Sequence, residues 1–138
     1  MATTSSDPTH ASGQINVRKY EPSTYEQPPG GPALVRIHVE EEFSGDIEGS
    51  GVAEFLQTAR SDDDASFVGV ERVTGRVGDH AGTFVLQDAG TVKDGTVSGT
   101  WFVVPGSGTG ELQGLRGEGG FTAALGQSAD ITLDYWFE

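Results

Sequence analysis

Cysteine is absent from the sequence, methionine occurs once, and the chain contains no long apolar run. Without cysteine it can form no disulfide, no thiolate nucleophile and no cysteine-ligated zinc site. No segment approaches the roughly 18 consecutive apolar residues of a transmembrane helix. The opening residues MATTSSDPTH also lack the basic and apolar regions of a secretion signal. We therefore expect a cytoplasmic protein without a membrane partner.

Basic residues are scarce as well. The chain has 8 Lys and Arg residues against 21 Asp and Glu residues, which gives a formal net charge of −13. An electrostatic field of this sign repels the phosphates of nucleic acids and the headgroups of anionic lipids. We expect no nucleic-acid partner, and we interpret most of the charge as a property of the solvent-exposed surface.

Glycine is the abundant residue, with 21 copies accompanied by 6 prolines. The glycines alternate with Val, Phe, Thr and Trp in strand-like runs, and no segment longer than one turn has a helical period. Counting these runs predicts about eight strands and therefore an all-β fold, an eight-stranded antiparallel barrel with a central cavity. We expect a flexible tail over Met1 to Ser12 and a single barrel domain over residues 13–138. A proline-rich connection over Glu21 to Pro32 is expected to lie outside the central strand ladder.

The stretch from Val103 to Thr122, VVPGSGTGELQGLRGEGGFT, joins two of the predicted strands. Its glycine density is incompatible with a regular element. Residues 111–115 can form about one helical turn, which would point Leu112 and Leu115 inward as a plug. Such a device is typical of a corner that closes a small barrel. The glycines expected in backbone conformations that a Cβ would strain are Gly108, Gly110 and Gly117.

This stretch, together with FVGVERVTG, GTFVLQ, GTWFVVP and the terminal LDYWFE, resembles the family called domain of unknown function 3224. The resemblance runs from about Val35 to Glu138, and that family is in turn similar to the allene oxide cyclase and dirigent barrels. It implies an eight-stranded antiparallel barrel, usually oligomeric, with a central cavity, and it implies no particular reaction. The family commonly has Gln-His where this chain has Gln87 and Asp88, so no role of that histidine can be transferred.

The motifs of common nucleotide, metal and nucleophile sites are missing. GSGTG lacks the P-loop lysine and leads into no long helix. His10, His38 and His80 have no metal-ligand spacing, and the aspartates of residues 61–65 lack the alternating ligands of an EF-hand, which favours a solvated hairpin tip. No serine lies in a nucleophile elbow. We expect neither a metal nor another cofactor.

Polar residues on otherwise apolar strand faces are the best candidates for chemistry. Glu71 shares a face with Phe67 and Val73 on one predicted strand, and an ionised carboxylate there is costly unless it is paired, hydrogen-bonded or protonated. We therefore take Glu71 and Tyr135 as candidate catalytic residues. Two interpretations of Glu71 stay open. One is functional: a tuned acid or base, or an anion that faces a developing cation. The other is a structural hydrogen bond or ion pair that closes the barrel, with Tyr135, Gln87, Arg36 or Arg72 as the partner. The candidate substrate-binding residues of the lumen are Glu41, Phe43, Phe67, Gln87, Trp101 and Phe137.

Three functions are compatible with such a barrel. The preferred one is a cofactor-independent cyclase or isomerase, resembling allene oxide cyclase, that folds an apolar or amphipathic small molecule in its lumen. The others are a lipocalin-like carrier or sensor and a structural oligomer whose lumen is filled by its own side chains. Strands with apolar residues on both faces, such as those carrying Val68 with Val70 and Phe102 with Val104, predict a homodimer, because a barrel has only one interior.

Overall fold

The computed structural model describes residues 7–138 and forms a closed antiparallel barrel, in which each strand pairs with the next and the last pairs with the first. The strands are β1 (Thr9–Glu26), β2 (Ala33–Gly45), β3 (Ile47–Ser61), β4 (Asp64–Val77), β5 (His80–Lys93), β6 (Thr96–Val103), β7 (Leu115–Ala124) and β8 (Ala129–Phe137). Within these residues the helical element is a 3-10 turn over Gly110–Leu112, and no helix is long and apolar enough to cross a membrane. The predicted all-β, eight-stranded barrel is confirmed.

Alternation along each strand divides the side chains between the barrel interior and solvent. On β2, for example, Val35, Ile37 and Val39 are buried and the residues between them are more exposed. One end of the barrel, here called the filled end, is packed with large apolar side chains that are almost completely buried. They include Ile47, Val77, Phe84, Leu112, Leu115 and Leu133. The opposite end holds a cavity, so side chains fill only one end of the barrel interior.

The connection between β6 and β7 closes the filled end as the sequence predicts. Leu112 and Leu115 are buried at 0% and 1% exposure and form the plug. The connection also continues the ladder of β5, because the Thr109 amide donates to the Thr83 carbonyl at 2.8 Å. Gly110 has a positive φ of 61° and permits the tight turn.

Two other glycines of this corner are required by close packing and not by φ. A Cβ at Gly108 would overlap the Leu112 carbonyl oxygen, and one at Gly117 would lie 3.0 Å from the Asp134 carbonyl oxygen. Neither glycine has a positive φ. The prediction of a strained backbone conformation is therefore confirmed for Gly110 alone of the three.

β1 begins earlier than the sequence predicts. Thr9 pairs with Tyr135 of β8 and Ser12 with Thr132, so the last part of the predicted tail is strand. The sequence does not predict this part of the strand, because Ala11 is the one apolar residue between Thr9 and Ser12 and a single residue makes no alternating pattern. Ala11 is buried at 1% exposure. The remainder of the predicted tail, residues 1–6, lies outside the described residues.

β1 also ends later than predicted, because Pro22 lies opposite Ile37 in the ladder with β2. The prediction that residues 21–32 lie outside the ladder is therefore wrong for the first half of that segment. The described register pairs β1 with β8 only as far as Ile15. The rest of β1 has one strand neighbour, and a proline is tolerated where its missing N–H faces no partner strand.

An outer apolar strip, with members from β3, β4 and β6, lies on the solvent face of the barrel wall that runs from β3 to β6. Its members are between 43% and 55% exposed although they are large and apolar. The strip confirms that Val68, Val70 and Phe102 face away from the interior. The residues of the outer apolar strip are Val52, Leu56, Val68, Val70 and Phe102.

Candidate functional site

A cavity of about 680 Å³ occupies the end of the barrel opposite the plug. Its walls are mostly apolar side chains that point inward from the strands. Tyr20 of β1 and the turn between β7 and β8, residues 125–128, also line it. The apolar lining residues include Ile37, Val39, Phe55, Phe67, Trp101 and Phe121.

Three carboxyl groups line this apolar cavity: Glu41 from β2, Glu71 from β4 and Asp88 from β5. Glu71 is 1% exposed and Asp88 is 4% exposed. The lining of the cavity, within the described part of the chain, includes no Lys, Arg or His. The carboxyl groups therefore face one another without a basic side chain to neutralise them.

A missing side chain on β3 makes room for this cluster. Gly51 lies opposite Glu41 in one ladder, and Ala53 lies opposite Glu71 in the other. A Cβ at Gly51 would overlap the Glu71 Oε2 atom and come within 2.9 Å of Phe43 Cε1. The carboxyl group of Glu71 thus lies over the backbone of Gly51, which brings it beside Glu41.

Burial and mutual repulsion set the protonation of the cluster. Burial, above all, raises the pKa of Glu71 well above its usual range; the hydrogen bond that a protonated Glu71 would donate to Glu41, and the charges of Glu41 and Asp88, raise it further. Burial also raises the pKa of Glu41, although accepting that bond would partly oppose this. Burial, followed by the charge of Glu41, raises the pKa of Asp88 to about 7. All the causes acting on Glu71 and on Asp88 favour the neutral acid, and Glu71 has more of them because both neighbouring carboxyl groups act on it. We therefore take Glu71 as the protonated member of the cluster.

A proton on Glu71 supplies a hydrogen-bond donor that the three carboxylates otherwise lack. When all three groups are ionised they are acceptors only, and both Glu71 oxygens and Asp88 Oδ1 have no partner in the described chain. Protonated Glu71 can donate to the Glu41 carboxylate, as the directions of their pKa changes require. Such an arrangement can give a proton to a ligand, accept one from it, or hold a positive charge.

The aromatic wall beside the carboxyl groups is fixed by packing and one hydrogen bond. Trp101 lies opposite Asp88 in the β5–β6 ladder, and its indole N–H donates to the Thr132 carbonyl at 2.9 Å. Its ring centroid is 5.2 Å from that of Phe121 and 6.5 Å from that of Phe43. Phe121 is in turn 6.1 Å from Phe67. The cavity therefore has a rigid aromatic side, which suits an apolar ligand.

The structure brings Glu41, Glu71, Phe67 and Trp101 together at the cavity, as the sequence predicts. Phe43 is buried in the core next to them, stacked on Trp101. Its ring lies beside the Glu71 carboxyl group, because both groups are close to the position that a Cβ on residue 51 would occupy.

Other predicted residues lie elsewhere. Gln87, predicted to bind the substrate, is exposed on the outer face of β5, where it pairs with Val70 and Phe102. Tyr135, predicted to act with Glu71, belongs to the filled end, where its hydroxyl approaches Gly78.

Phe137 is at the filled end too, with its ring 4.6 Å from that of His80. Like Tyr135, it faces inward at a different height from the cavity and does not line it. The expected partners of Glu71 are corrected accordingly, since Glu71 has no hydrogen-bond partner among Tyr135, Gln87, Arg36 and Arg72.

Asp88 is the site residue that the sequence reasoning missed. The alternation of β5 indicates its direction, because Phe84, Leu86 and Asp88 occupy alternate positions and all three are buried on the same face of the strand. The neighbouring Gln87, predicted to bind the substrate, alternates with these residues and lies on the exposed face. Two large apolar residues at the same spacing decide the face of a strand more strongly than one polar residue does.

Comparisons with known proteins support the same architecture. A model of the family described as "Protein of unknown function (DUF3224)" matches residues 11–135. A crystal structure of a protein with unknown function from this family, from Shewanella oneidensis MR-1, has 30% sequence identity and a TM-score of 0.80. The similarity covers 96% of this chain and 99% of that one. None of the curated proteins compared with the chain matches it.

Proposed function

Because the chain belongs to the DUF3224 family, which is described as of unknown function, we propose its function from the cavity itself. The barrel binds an apolar or amphipathic small molecule in its lumen and isomerises or cyclises it by proton transfer from the carboxyl cluster. The observation that carries this proposal is a buried, unpartnered Glu71 carboxyl group that opens onto an apolar cavity.

The size and lining of the cavity support binding. Its volume of about 680 Å³ lies within the range of about 300–1,000 Å³ that is usual for small-molecule sites. Apolar walls with a few convergent polar groups are the usual composition of such sites. The aromatic wall built on Trp101 supplies flat surface against which a flexible ligand can be held in one conformation.

The carboxyl cluster supports proton transfer. Glu71 keeps a proton that it can give to one atom of the ligand, and an ionised Glu41 or Asp88 can take a proton from another. The total number of protons is then unchanged, as an isomerisation requires. Positive charge that develops on the ligand after protonation is stabilised by the remaining carboxylates. Cyclisation of the allene oxide cyclase type is the alternative reaction, in which the barrel chiefly holds a flexible substrate in one reactive conformation, and the resemblance of the family to those barrels favours it.

Purification from the native host followed by native mass spectrometry tests the binding. We expect a mass above that of the 14.5 kDa chain by one small molecule, which denaturation releases. Incubation of that molecule with fresh protein should give a product of equal mass and different chromatographic retention. An empty barrel that also fails to retain any compound from a host lipid extract would contradict the proposal.

Two glutamate variants separate catalysis from simple carriage. Glu71→Gln keeps the size of the side chain and removes the transferable proton, so it should bind the ligand and form no product. Glu42→Gln is the matched control, because it removes one glutamate from the exposed side of the same strand as Glu41 and should react normally. A Glu71→Gln variant that remains fully active would end the catalytic part of the proposal, and binding without turnover in every variant would leave a carrier.

A further inference from the structure

We infer that the polar end of the ligand is an organic cation, such as a protonated amine, held among Glu41, Glu71 and Asp88. This inference rests on the proposed binding function and names the class of molecule that the cavity takes. It is carried by the composition of the cavity, which combines buried carboxyl groups with no basic side chain in its described lining.

Charge is the first argument. A buried carboxylate is normally paired with Arg or Lys, because an unpaired charge away from water is costly. Here the cavity lining offers carboxyl groups from β2, β4 and β5, and the other titratable side chain that faces it is Tyr20 of β1. A cationic ligand supplies the missing counter-charge. An anionic ligand would meet repulsion both from the cluster and from the net charge of −13.

Hydrogen bonding is the second argument. The oxygens without a partner in the described chain are Glu71 Oε1, Glu71 Oε2 and Asp88 Oδ1. A primary ammonium group has three N–H donors and no acceptor, so it can donate to Asp88 Oδ1 and to one Glu71 oxygen and still have a donor for the Glu41 carboxylate. A neutral alcohol has one donor and would leave carboxylate oxygens unsatisfied.

The aromatic wall is the third argument. Trp101 lies opposite Asp88 in the ladder, and the Phe121 ring is 5.2 Å from the Trp101 ring. The faces of such rings attract cations, indole most strongly. A cation that binds Asp88 therefore lies close to the indole ring of Trp101, while its apolar body lies along the walls formed by Ile37, Val39 and Phe55.

Binding of a cation also exchanges a proton. At pH 6 most of Asp88 is protonated in the empty cavity, because burial and the charge of Glu41 raise its pKa to about 7, and a cation placed beside it favours the ionised form. Binding of an ammonium ion that is already protonated should therefore release a proton to the solvent near pH 6. The release should fade as the pH rises to the point at which the empty cluster is already ionised.

Isothermal titration calorimetry of the full chain with octylamine, 1-octanol and octanoate tests the inference. The three probes share one alkyl chain and differ in the charge of the head. At pH 8 we expect octylamine to bind about tenfold more tightly than 1-octanol or better, because charged hydrogen bonds replace a single neutral one. Octanoate should bind most weakly. Titrations near pH 6 in two buffers of different ionisation enthalpy should show proton release with octylamine alone.

Paired variants guard against adsorption of the amine to an acidic surface. Asp88→Asn should weaken octylamine by about tenfold and weaken 1-octanol by much less, whereas Glu42→Gln should change neither affinity. Equal affinity for octylamine and 1-octanol would overturn the inference and leave the proposed binding intact. Equal weakening of octylamine by both variants would also overturn it, because the amine would then be on the surface. Failure of all three probes to bind would count against the binding function itself.

Discussion

Replacing Asp88 by asparagine should stabilise the protein at pH 8 and leave its stability nearly unchanged at pH 4. Burial and the charge of Glu41 raise the pKa of Asp88 to about 7, from an ordinary value of 3.8. At about 1.4 kcal/mol for each pH unit between these values, ionisation of Asp88 weakens the folded state by up to about 4 kcal/mol. Asparagine resembles the protonated aspartate in shape and charge, so the variant avoids this loss.

The pH dependence fixes the sign of the effect. Below pH 3.8 the side chain is protonated in both the folded and the unfolded chain, and the variant gains nothing. Between pH 3.8 and about 7 the folded state holds a proton that the unfolded state has lost, so the free energy of unfolding of the wild type falls as the pH rises. Above pH 7 the difference is constant. We expect Asp88→Asn to exceed the wild type there by about 2–4 kcal/mol.

Urea unfolding at pH 4, 6 and 8, followed by tryptophan fluorescence, measures this difference directly. Asp62→Asn at the exposed tip between β3 and β4 is the control, since it removes one charge from a solvated turn. Its effect should stay below about 0.5 kcal/mol at each pH. The same difference for Asp88→Asn at pH 4 and pH 8, or a loss of stability at pH 8, would refute the placement of an unpaired carboxylate in the cavity.

Further outcomes follow from other parts of the barrel. Gly51→Ala should lower the free energy of unfolding by about 1–3 kcal/mol, because its Cβ overlaps the Glu71 carboxyl group. In thermal melts, adding Glu71→Ala to this variant should recover part of the loss. Gly110→Val should lower stability by about 1–3 kcal/mol because φ is 61° there, while Asp63→Ala should barely alter the melt; equal shifts would contradict the corner's role. Light scattering should give a mass above 14.5 kDa, because the outer apolar strip needs a cover; a monomeric mass at all concentrations would refute the homodimer.

The faces of most strands could be predicted from the sequence because strand side chains alternate with a period of two. Phe67, Glu71 and Val73 were assigned to one face by this rule, and the structure places them inside the barrel. The corner at Gly110 with its Leu112 plug was equally accessible, since glycine and apolar spacing mark it locally. These features depend on residues close together in sequence.

The height of a residue along the barrel axis could not be predicted, because it depends on the stagger between strands that alternation does not encode. Tyr135 shows this: its inward direction is right, but its pairing with Gly117 and Thr9 sets it at the filled end. The meeting of Glu41 with Glu71 has the same origin, because Glu41 pairs with Gly51 and Glu71 pairs with Ala53, two residues further along β3. Such contacts between distant strands exist only once the register is known.

The fit of the Glu71 carboxyl group over Gly51 restricts the order in which mutations can be accepted as the family diverges. While glutamate stands at position 71, a side chain at position 51 meets its carboxyl oxygen, so substitution at 51 is selected against. After Glu71 is lost, position 51 can gain a side chain. Recovery of the glutamate is then blocked, because the space it needs has been filled. Among relatives, we therefore expect glutamate at the position of residue 71 to occur with glycine at the position of residue 51, and lineages that lost this glutamate to regain it rarely.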